Sequence, residues 1–337
     1  MNFRKFLVLF LCFTLLTGCG NKKKAAAAQQ SAGNAPASSS ALTQKTNIPQ
    51  PDPVDSGKEA AGLADAPPAA VATVLKPMPS ASLRETGNDG IIDYSHKEDG
   101  YVMAKFTTVS SSRLKVLVKG PTTTYSYNLP CEEWAVFPLS DGSGSYQVGI
   151  YQNVTGSKYA KLLTVTFSVT LNDEFAPFLR PNQYVNYSEA TQAVDLGLEL
   201  TQGIEQPLEK VAAVYDYVVT TLSYDHDKAA TVKSGYLPDL DQVLESKKGI
   251  CFDYAALMTA MLRSQEVPCK LVVGYAGSVY HAWISVWTQE YGWVDGAIFF
   301  DGQVWTRMDP TFASSGSRSE EIMQFINNGN YTTKYLY

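Results

Sequence analysis

Three residues in the C-terminal half of the chain have the types and the order of a nucleophile, its base and an orienting acid. They are Cys251, His281 and Asp309. A thiol that attacks a carbonyl needs a base, and an imidazole both accepts the thiol proton and later donates it to a leaving group. A carboxylate bound to the other imidazole nitrogen fixes the tautomer and favours the imidazolium. Together they predict covalent catalysis by acyl transfer.

Each of these residues also has a structural interpretation. Cys251 resembles many buried cysteines, since free cysteine is among the most buried residue types. His281 begins an apolar strand-like run and could be a hydrogen-bonded strand-end histidine. Asp309 lies in an Asp-Pro pair typical of turns, and Asp295 and Asp301 are alternative acids on the same stretch. Only the combination of the three motifs favours chemistry.

Helical and strand-like periodicities indicate the elements that would position these residues. Cys251 directly precedes a helical run, and backbone N–H groups at a helix N-terminus favour thiolate over thiol. His281 and Asp309 lie at the edges of strand-like runs further along the chain. The predicted helices are Pro207–Leu222, Asp239–Ser246 and Phe252–Arg263, and the predicted strands are Lys270–Tyr275, Ala282–Thr288, Gly292–Phe300 and Gln303–Met308. Helices followed by strands indicate an α+β fold.

The three motifs resemble those of the transglutaminase-like superfamily, whose papain-like core presents Cys, His and Asp in this order. The matching pieces are GICFDYA (249–255), GYAGSVYHAWISV (274–286) and WTRMDPTF (305–312). Cys251 and His281 are 30 residues apart, and His281 and Asp309 are 28 apart, as in compact bacterial members. The resemblance covers roughly residues 206–313, about a third of the chain.

This resemblance implies a fold and a set of roles. The Cys251 helix would pack on an antiparallel sheet that carries His281 and Asp309. Cys251 would be the nucleophile, His281 the general base and acid, and Asp309 the orienting acid. The Cys251 backbone N–H is one natural oxyanion donor, and Tyr224 is a weaker candidate for a second. No metal and no other cofactor is required, and the calcium dependence of animal transglutaminases is not transferred.

The N-terminal part of the sequence has the features of a signal peptide followed by a linker. Residues 1–18 have a basic start, a short apolar run and small residues, which is typical of a signal peptide. The LTGC ending resembles a bacterial lipobox, so we expect Cys19 to be lipidated and to hold the protein on the outer side of a cell membrane. Residues 19–90 contain no Phe, Trp or Tyr, and their Ala/Pro/Ser-rich composition predicts a disordered linker.

The remaining residues divide into two predicted domains. Residues 91–180 contain six short β-branched or aromatic runs between turn signals, which predict a small β-sandwich-like domain. We expect this domain to present substrate or to act as a spacer. Residues 181–337 form the predicted catalytic domain. Cys131 and Cys269 could pair, but the sequence does not show whether they are close enough.

Composition narrows the choice of partners. The chain has 337 residues, 27 Lys+Arg against 33 Asp+Glu and a net charge of −6, which argues against nucleic-acid binding. A cysteine protease, amidase or transglutaminase is expected, acting on proteins or peptides. Peptidoglycan stem peptides and surface proteins are candidates by location. The alternatives are a non-catalytic binding or assembly module on the same fold, and a ligand-binding β-rich domain scaffolded by the C-terminal one.

Overall fold

The structure is a computed structural model, and it describes residues 71–276, 279–295, 298–300, 305–307 and 331–337. Cys19, Asp309 and the expected signal peptide lie outside the described residues. The described residues form one compact unit.

Two antiparallel four-stranded sheets make up the first part of the described chain. One sheet has the order β1-β2-β3-β6 and the other β5-β4-β7-β8. The strands are β1 Arg84–Gly87, β2 Gly90–Asp93, β3 Tyr101–Phe106, β4 Leu114–Lys119, β5 Thr124–Asn128, β6 Ala135–Pro138, β7 Gly144–Thr155 and β8 Lys158–Val169. The two sheets therefore have the sandwich-like character that the turn spacing predicts.

Alternation of side chains along the strands explains how the two sheets share a core. Leu114, Val116 and Val118 are buried on one face of β4, as the two-residue period of a strand requires. Gly90 marks the close approach of the sheets, because a Cβ there would lie 2.9 Å from Ile150 Cδ1. A larger residue at this position would push the two layers apart.

Strand β1 lies inside the range 19–90 that the sequence predicts to be a linker. It is held by polar contacts to Asp93, which is only 2% exposed. The Asp93 carboxylate accepts hydrogen bonds from the backbone N–H groups of Ser80 and Ala81 and pairs with Arg84 at 3.0 Å. Because this order also comes from backbone pairing with β2 and from a buried carboxylate, the lack of aromatic residues does not reveal it.

Within the described residues, five α-helices and a second set of strands follow. The helices are α1 Gln192–Thr201, α2 Pro207–Thr221, α3 His226–Thr231, α4 Leu240–Ser246 and α5 Cys251–Arg263, and the strands are β9 Ser223–Tyr224, β10 Lys248–Gly249, β11 Cys269–Ala276, β12 Val279–Thr288, β13 Gly292–Asp295, β14 Ile298–Phe300, β15 Trp305–Arg307 and β16 Tyr331–Leu336. Helix α5 is buried from Asp253 to Arg263, against an antiparallel sheet of order β13-β12-β11-β16. None of the helices in the described part of the chain has the length and hydropathy to cross a bilayer.

A buried arginine joins the far end of α5 to the C-terminal strand. Arg263 is 1% exposed, and its guanidinium donates to the backbone oxygens of Cys269, Arg180 and Tyr337 at 2.6–2.8 Å. These acceptors lie on three separate segments, so one side chain with its fork of donors aligns β11, β16 and the connection from the β-rich part. The arrangement keeps Tyr337 in the core beneath the sheet.

Candidate active site

Cys251 is the first residue of α5, and short strands fix its position. Ile250 precedes it in an extended conformation, and Gly249 pairs in parallel with Tyr224 through β10 and β9. A Cβ at Gly249 would lie 2.8 Å from the Asp253 Cβ, so the chain can enter the helix this tightly only at glycine. The same pairing brings Tyr224 beside the thiol.

The Tyr224 side chain contacts the Cys251 thiol. Its hydroxyl hydrogen-bonds to Cys251, and this bond lowers the pKa of the thiol. Burial and the neighbouring Cys251 raise the pKa of Tyr224 to about 12, so its hydroxyl keeps its proton at physiological pH. A protonated hydroxyl at this place can donate to an oxygen that develops negative charge next to the sulfur.

His281 lies on β12 and faces the same cavity as Cys251. The cavity has a volume of about 630 Å³, and Cys251, His281 and Tyr224 all line it. The backbone N–H of Ala282, the residue after His281, hydrogen-bonds to the Cys251 sulfur. The fold therefore brings the predicted nucleophile, base and oxyanion donor together from three different elements.

Burial makes the resting state of this pair neutral. Burial raises the pKa of the Cys251 thiol, and it outweighs the N–H groups of Ala282 and Phe252 that lower it. Burial also lowers the pKa of His281 to about 4. The N–H groups at the helix N-terminus favour thiolate as expected, but desolvation disfavours the charged form more strongly, so the resting thiol keeps its proton.

A buried carboxylate that the sequence analysis did not single out supports the nucleophile. Asp253 is 0% exposed; its carboxylate accepts hydrogen bonds from the Ile250 N–H at 2.8 Å, from Lys228 Nζ at 2.7 Å and from the Tyr236 hydroxyl. Lys228 also donates to the Tyr236 hydroxyl at 2.6 Å. Asp253 is the third residue of α5, a position where an acidic side chain commonly caps the helix start. That signal could have identified it from the sequence.

Helix α3 carries Lys228 and begins a wall of the cavity. Its sequence is polar and has no apolar face, but the Asp225 side chain accepts a hydrogen bond from the Lys228 N–H at 2.8 Å and caps a six-residue helix. The chain from Val232 to Tyr236 then lines the cavity. Asp253 therefore ties this wall to the helix that carries Cys251.

The β-rich part contributes directly to the cavity. Ser126 on β5 is one of its lining residues, and Tyr125 and Tyr127 on either side contact the Tyr337 ring, each with centroids 5.8 Å apart. Phe175 packs on Trp287 of β12 with ring centroids 4.4 Å apart. The first part of the chain is thus a structural component of the site.

The cysteines in the described part of the chain are unpaired. Cys131, Cys251 and Cys269 all carry free thiols, so Cys131 and Cys269 are not paired. Cys269 is buried, and burial raises its pKa to about 11. Asp309 and Cys19 lie outside the described residues, so their roles stay predictions.

Residues 194–296 match the family model described as the transglutaminase-like superfamily. That range includes Cys251, His281 and Tyr224. The uncharacterized protein YebA of Bacillus subtilis strain 168 is 30% identical over 180 residues, which is 47% of this chain and 24% of YebA. A protein-glutamine gamma-glutamyltransferase of Pseudomonas aeruginosa is 27% identical over 141 residues, which is 37% of this chain and 19% of that enzyme. This chain therefore aligns with less than a quarter of the length of either curated relative.

Among solved structures, a Cytophaga hutchinsonii protein proposed to be a cysteine protease matches with a TM-score of 0.34 and 16% identity. The match covers 70% of this chain and 83% of that one. Red sea bream transglutaminase matches with a TM-score of 0.26 and 11% identity over 63% of this chain and 48% of that one. Both scores are low, so neither structure carries an argument. Helix α5, packed on an antiparallel sheet, lies within the residues that match the family model, so this part of the chain resembles a transglutaminase-like core.

Proposed function

We propose that this protein is a cysteine enzyme that transfers or hydrolyses acyl groups of peptide or side-chain amides through a thioester. The observation that supports it most strongly is the shared cavity lined by Cys251, His281 and Tyr224. A thiol, an imidazole and a hydroxyl at one cavity are the groups that acyl transfer needs. The match to the transglutaminase-like superfamily over residues 194–296 supports the same chemistry.

The reaction starts from the neutral thiol and imidazole. As Cys251 Sγ attacks the carbonyl carbon, its proton passes to His281, and the carbonyl oxygen becomes an oxyanion. The Tyr224 hydroxyl and the Cys251 backbone N–H are the proposed donors to that oxyanion. Collapse of the intermediate forms the thioester, and His281 returns the proton to the leaving amine. Water or a second amine then attacks the thioester.

Asp309 is the proposed partner of the distal His281 nitrogen. A carboxylate there would orient the ring and stabilise the imidazolium that forms during attack. This stabilisation matters most when the thiol proton moves, because the resting imidazole is neutral. An Asp309→Asn variant should therefore lose kcat far more than it loses substrate binding.

The acceptor is tested by running two assays on the purified full chain. Dansylcadaverine incorporation into dimethylcasein reports amine transfer, and release of fluorescence from a quenched peptide mixture reports hydrolysis. We expect one of these activities, abolished in Cys251→Ala and retained in Cys131→Ala, which removes another free, partly buried thiol. Activity that survives Cys251→Ala would contradict the proposal.

A non-catalytic binding or assembly module is the other outcome of this test. It would replace the proposed enzyme if the wild-type chain showed neither activity while still binding peptides in the cavity. The relatives do not decide between the two, because this chain aligns with only a fraction of each.

We also propose that Cys19 is lipidated and anchors the protein on the outer face of a bacterial cell membrane. The LTGC sequence that ends at Cys19 supports this, since lipoprotein signals end in a small residue followed by the modified cysteine. Peptidoglycan stem peptides and surface proteins would then be within reach as substrates. Incorporation of labelled palmitate in cells, lost in Cys19→Ala, is the expected result. Equal labelling of both forms, or none of either, would contradict the anchor.

A further inference from the structure

A continuous row of aromatic rings forms one side of the cavity next to the nucleophile. It starts at Phe252, the residue after Cys251, whose ring centroid lies 6.4 Å from that of Tyr236 and 5.7 Å from that of Tyr184. Tyr184 continues to Tyr337 at 4.3 Å, and Tyr337 to Tyr335 at 6.0 Å. All five rings line the cavity. We call them the aromatic wall.

A further aromatic side chain at this cavity, Tyr280, is exposed. It directly precedes His281 on β12, lines the same cavity and is 55% exposed. Covering a large aromatic side chain lowers the free energy, because its apolar surface is removed from water. An exposed ring next to the proposed base, in the same cavity as the aromatic wall, therefore indicates a surface that a ligand covers.

The charge of the cavity indicates which class of ligand it binds. Sites lined by aromatic rings bind either aromatic and apolar groups or organic cations. Among the described side chains that line the cavity, Lys233 is the one with a permanent charge, and none is a carboxylate. A cationic ligand would meet repulsion from this ammonium, and no lining side chain supplies a counter-charge. Neutral aromatic and large apolar groups fit the lining better.

We propose that the aromatic wall and Tyr280 bind an aromatic side chain of the substrate, beside the carbonyl that Cys251 attacks. The substrate class is thus peptides or proteins with Phe, Tyr or Trp next to the reacting amide. This inference rests on the proposed function for its chemistry, but the binding itself can be measured without the reaction.

Two peptide chloromethyl ketones that differ in one side chain provide the test. One carries Phe and the other Ala next to the ketone. Attack by Cys251 forms a C–S bond and releases chloride, and His281 or water takes the thiol proton. We expect the Phe probe to alkylate Cys251, measured by intact mass, at least ~10-fold faster than the Ala probe. Tyr280→Ala should reduce that ratio roughly fivefold.

Tyr275→Ala is the matched control. Tyr275 pairs with Tyr280 across the strands and contacts its ring at 5.4 Å, and it is 37% exposed, but it lies outside the described cavity lining. It should leave the Phe preference unchanged. Equal rates for both probes, or an equal loss of preference in Tyr275→Ala and Tyr280→Ala, would overturn the proposal.

A binding experiment separates this proposal from the proposed function. N-acetyl-phenylalanine amide should bind the Cys251→Ala variant at least ~10-fold more tightly than N-acetyl-alanine amide, and the additional Tyr280→Ala change should weaken this binding. If Cys251 proves unreactive but this preference is found, the aromatic site stands and the enzyme proposal fails. If the preference is absent, the aromatic site is wrong whatever the chemistry.

Discussion

At the scale of single residues, two opposing effects act on the Cys251 thiol. The N-terminus of α5 and nearby N–H groups stabilise a thiolate, while burial destabilises it, and burial prevails. The sequence could place a cysteine at the start of a helix, because the helical period begins there. It could not show the burial, because that depends on how β9 and β12 close over the helix end.

His281 gives the first pH-dependent prediction. Its pKa of about 4 in the folded chain lies below the ordinary 6.5. Between these values the unfolded chain binds a proton that the folded chain does not, so folding stability is lost as the pH falls from about 6.5 to 4. For this ring, which is 7% exposed, the loss should be about 3 kcal/mol.

The measurement compares urea unfolding of wild type and His281→Asn at pH 7 and pH 4. The wild type should lose about 3 kcal/mol more than the variant between these conditions. NMR titration of the imidazole provides the control, with His96 and His226 as internal references in the same sample. A His281 pKa near 7 would contradict a neutral resting pair.

Tyr224→Phe tests the proposed oxyanion donor. The change removes one hydroxyl and leaves the ring, so packing against Tyr254 is preserved. We expect kcat to fall roughly 100-fold with little change in KM, because the lost hydrogen bond forms in the transition state. The pKa of Cys251 should also rise, since this hydroxyl lowers it, and the pH dependence of iodoacetamide alkylation measures that rise. An unchanged kcat would assign Tyr224 to packing alone.

At the scale of elements, Asp253 joins α3 and the following cavity wall to α5. In the wild type, the Lys228 ammonium and the Tyr236 hydroxyl both donate to the Asp253 carboxylate. Asp253→Asn replaces this carboxylate with a neutral amide. Breaking a buried pair from one side usually costs about 3–5 kcal/mol. We expect a loss in the free energy of unfolding of at least ~2 kcal/mol because Lys228 keeps some access to water, together with a raised KM.

Asp239→Asn is the matched control for that prediction. Asp239 also accepts a backbone hydrogen bond at a helix start, from Gln242 N–H at 3.1 Å, but it is solvent-exposed. Its loss should cost at most ~1 kcal/mol and leave KM unchanged. If both variants behaved alike, Asp253 would be an ordinary helix cap and not a positioning residue.

Most elements around the site could be predicted from periodicity. The predicted helices at Pro207–Leu222 and Phe252–Arg263 agree with α2 and α5 to within one residue at each end. Helix α3 was missed because its sequence has no apolar face, and the Asp225 cap is the main local signal for it. Strand β16 was missed because its pairing with β11 is a long-range contact.

At the scale of the whole molecule, the β-rich part and the core meet along an aromatic interface. Phe175, Tyr125 and Tyr127 contact rings of the core, and Ser126 reaches the cavity. The sequence could not reveal this, because nothing local in β5 indicates which surface it faces. Of the two roles expected for this domain, substrate presentation and spacing, the first is compatible with a residue of β5 in the cavity lining.

Shared burial predicts that the two parts unfold together. Urea unfolding followed by tryptophan fluorescence and by far-UV circular dichroism should give coincident transitions. Phe175→Ala should lower the urea midpoint of both signals equally. The corresponding loss in the free energy of unfolding should be about 1–2 kcal/mol for a half-buried ring. The exposed Val109→Ala is the control and should change neither. Two separated transitions would show that the β-rich part is energetically independent.

The most direct test of the account is the site and rate of acylation. Reaction of the purified chain with p-nitrophenyl acetate, followed by intact and peptide mass measurement, locates the thioester among Cys131, Cys251 and Cys269. We predict rapid acetylation at Cys251, at least ~100-fold slower in His281→Asn, with Cys131 reacting as an ordinary thiol. Acetylation of Cys251 no faster than that of Cys131, or unchanged in His281→Asn, would contradict a nucleophile activated by His281.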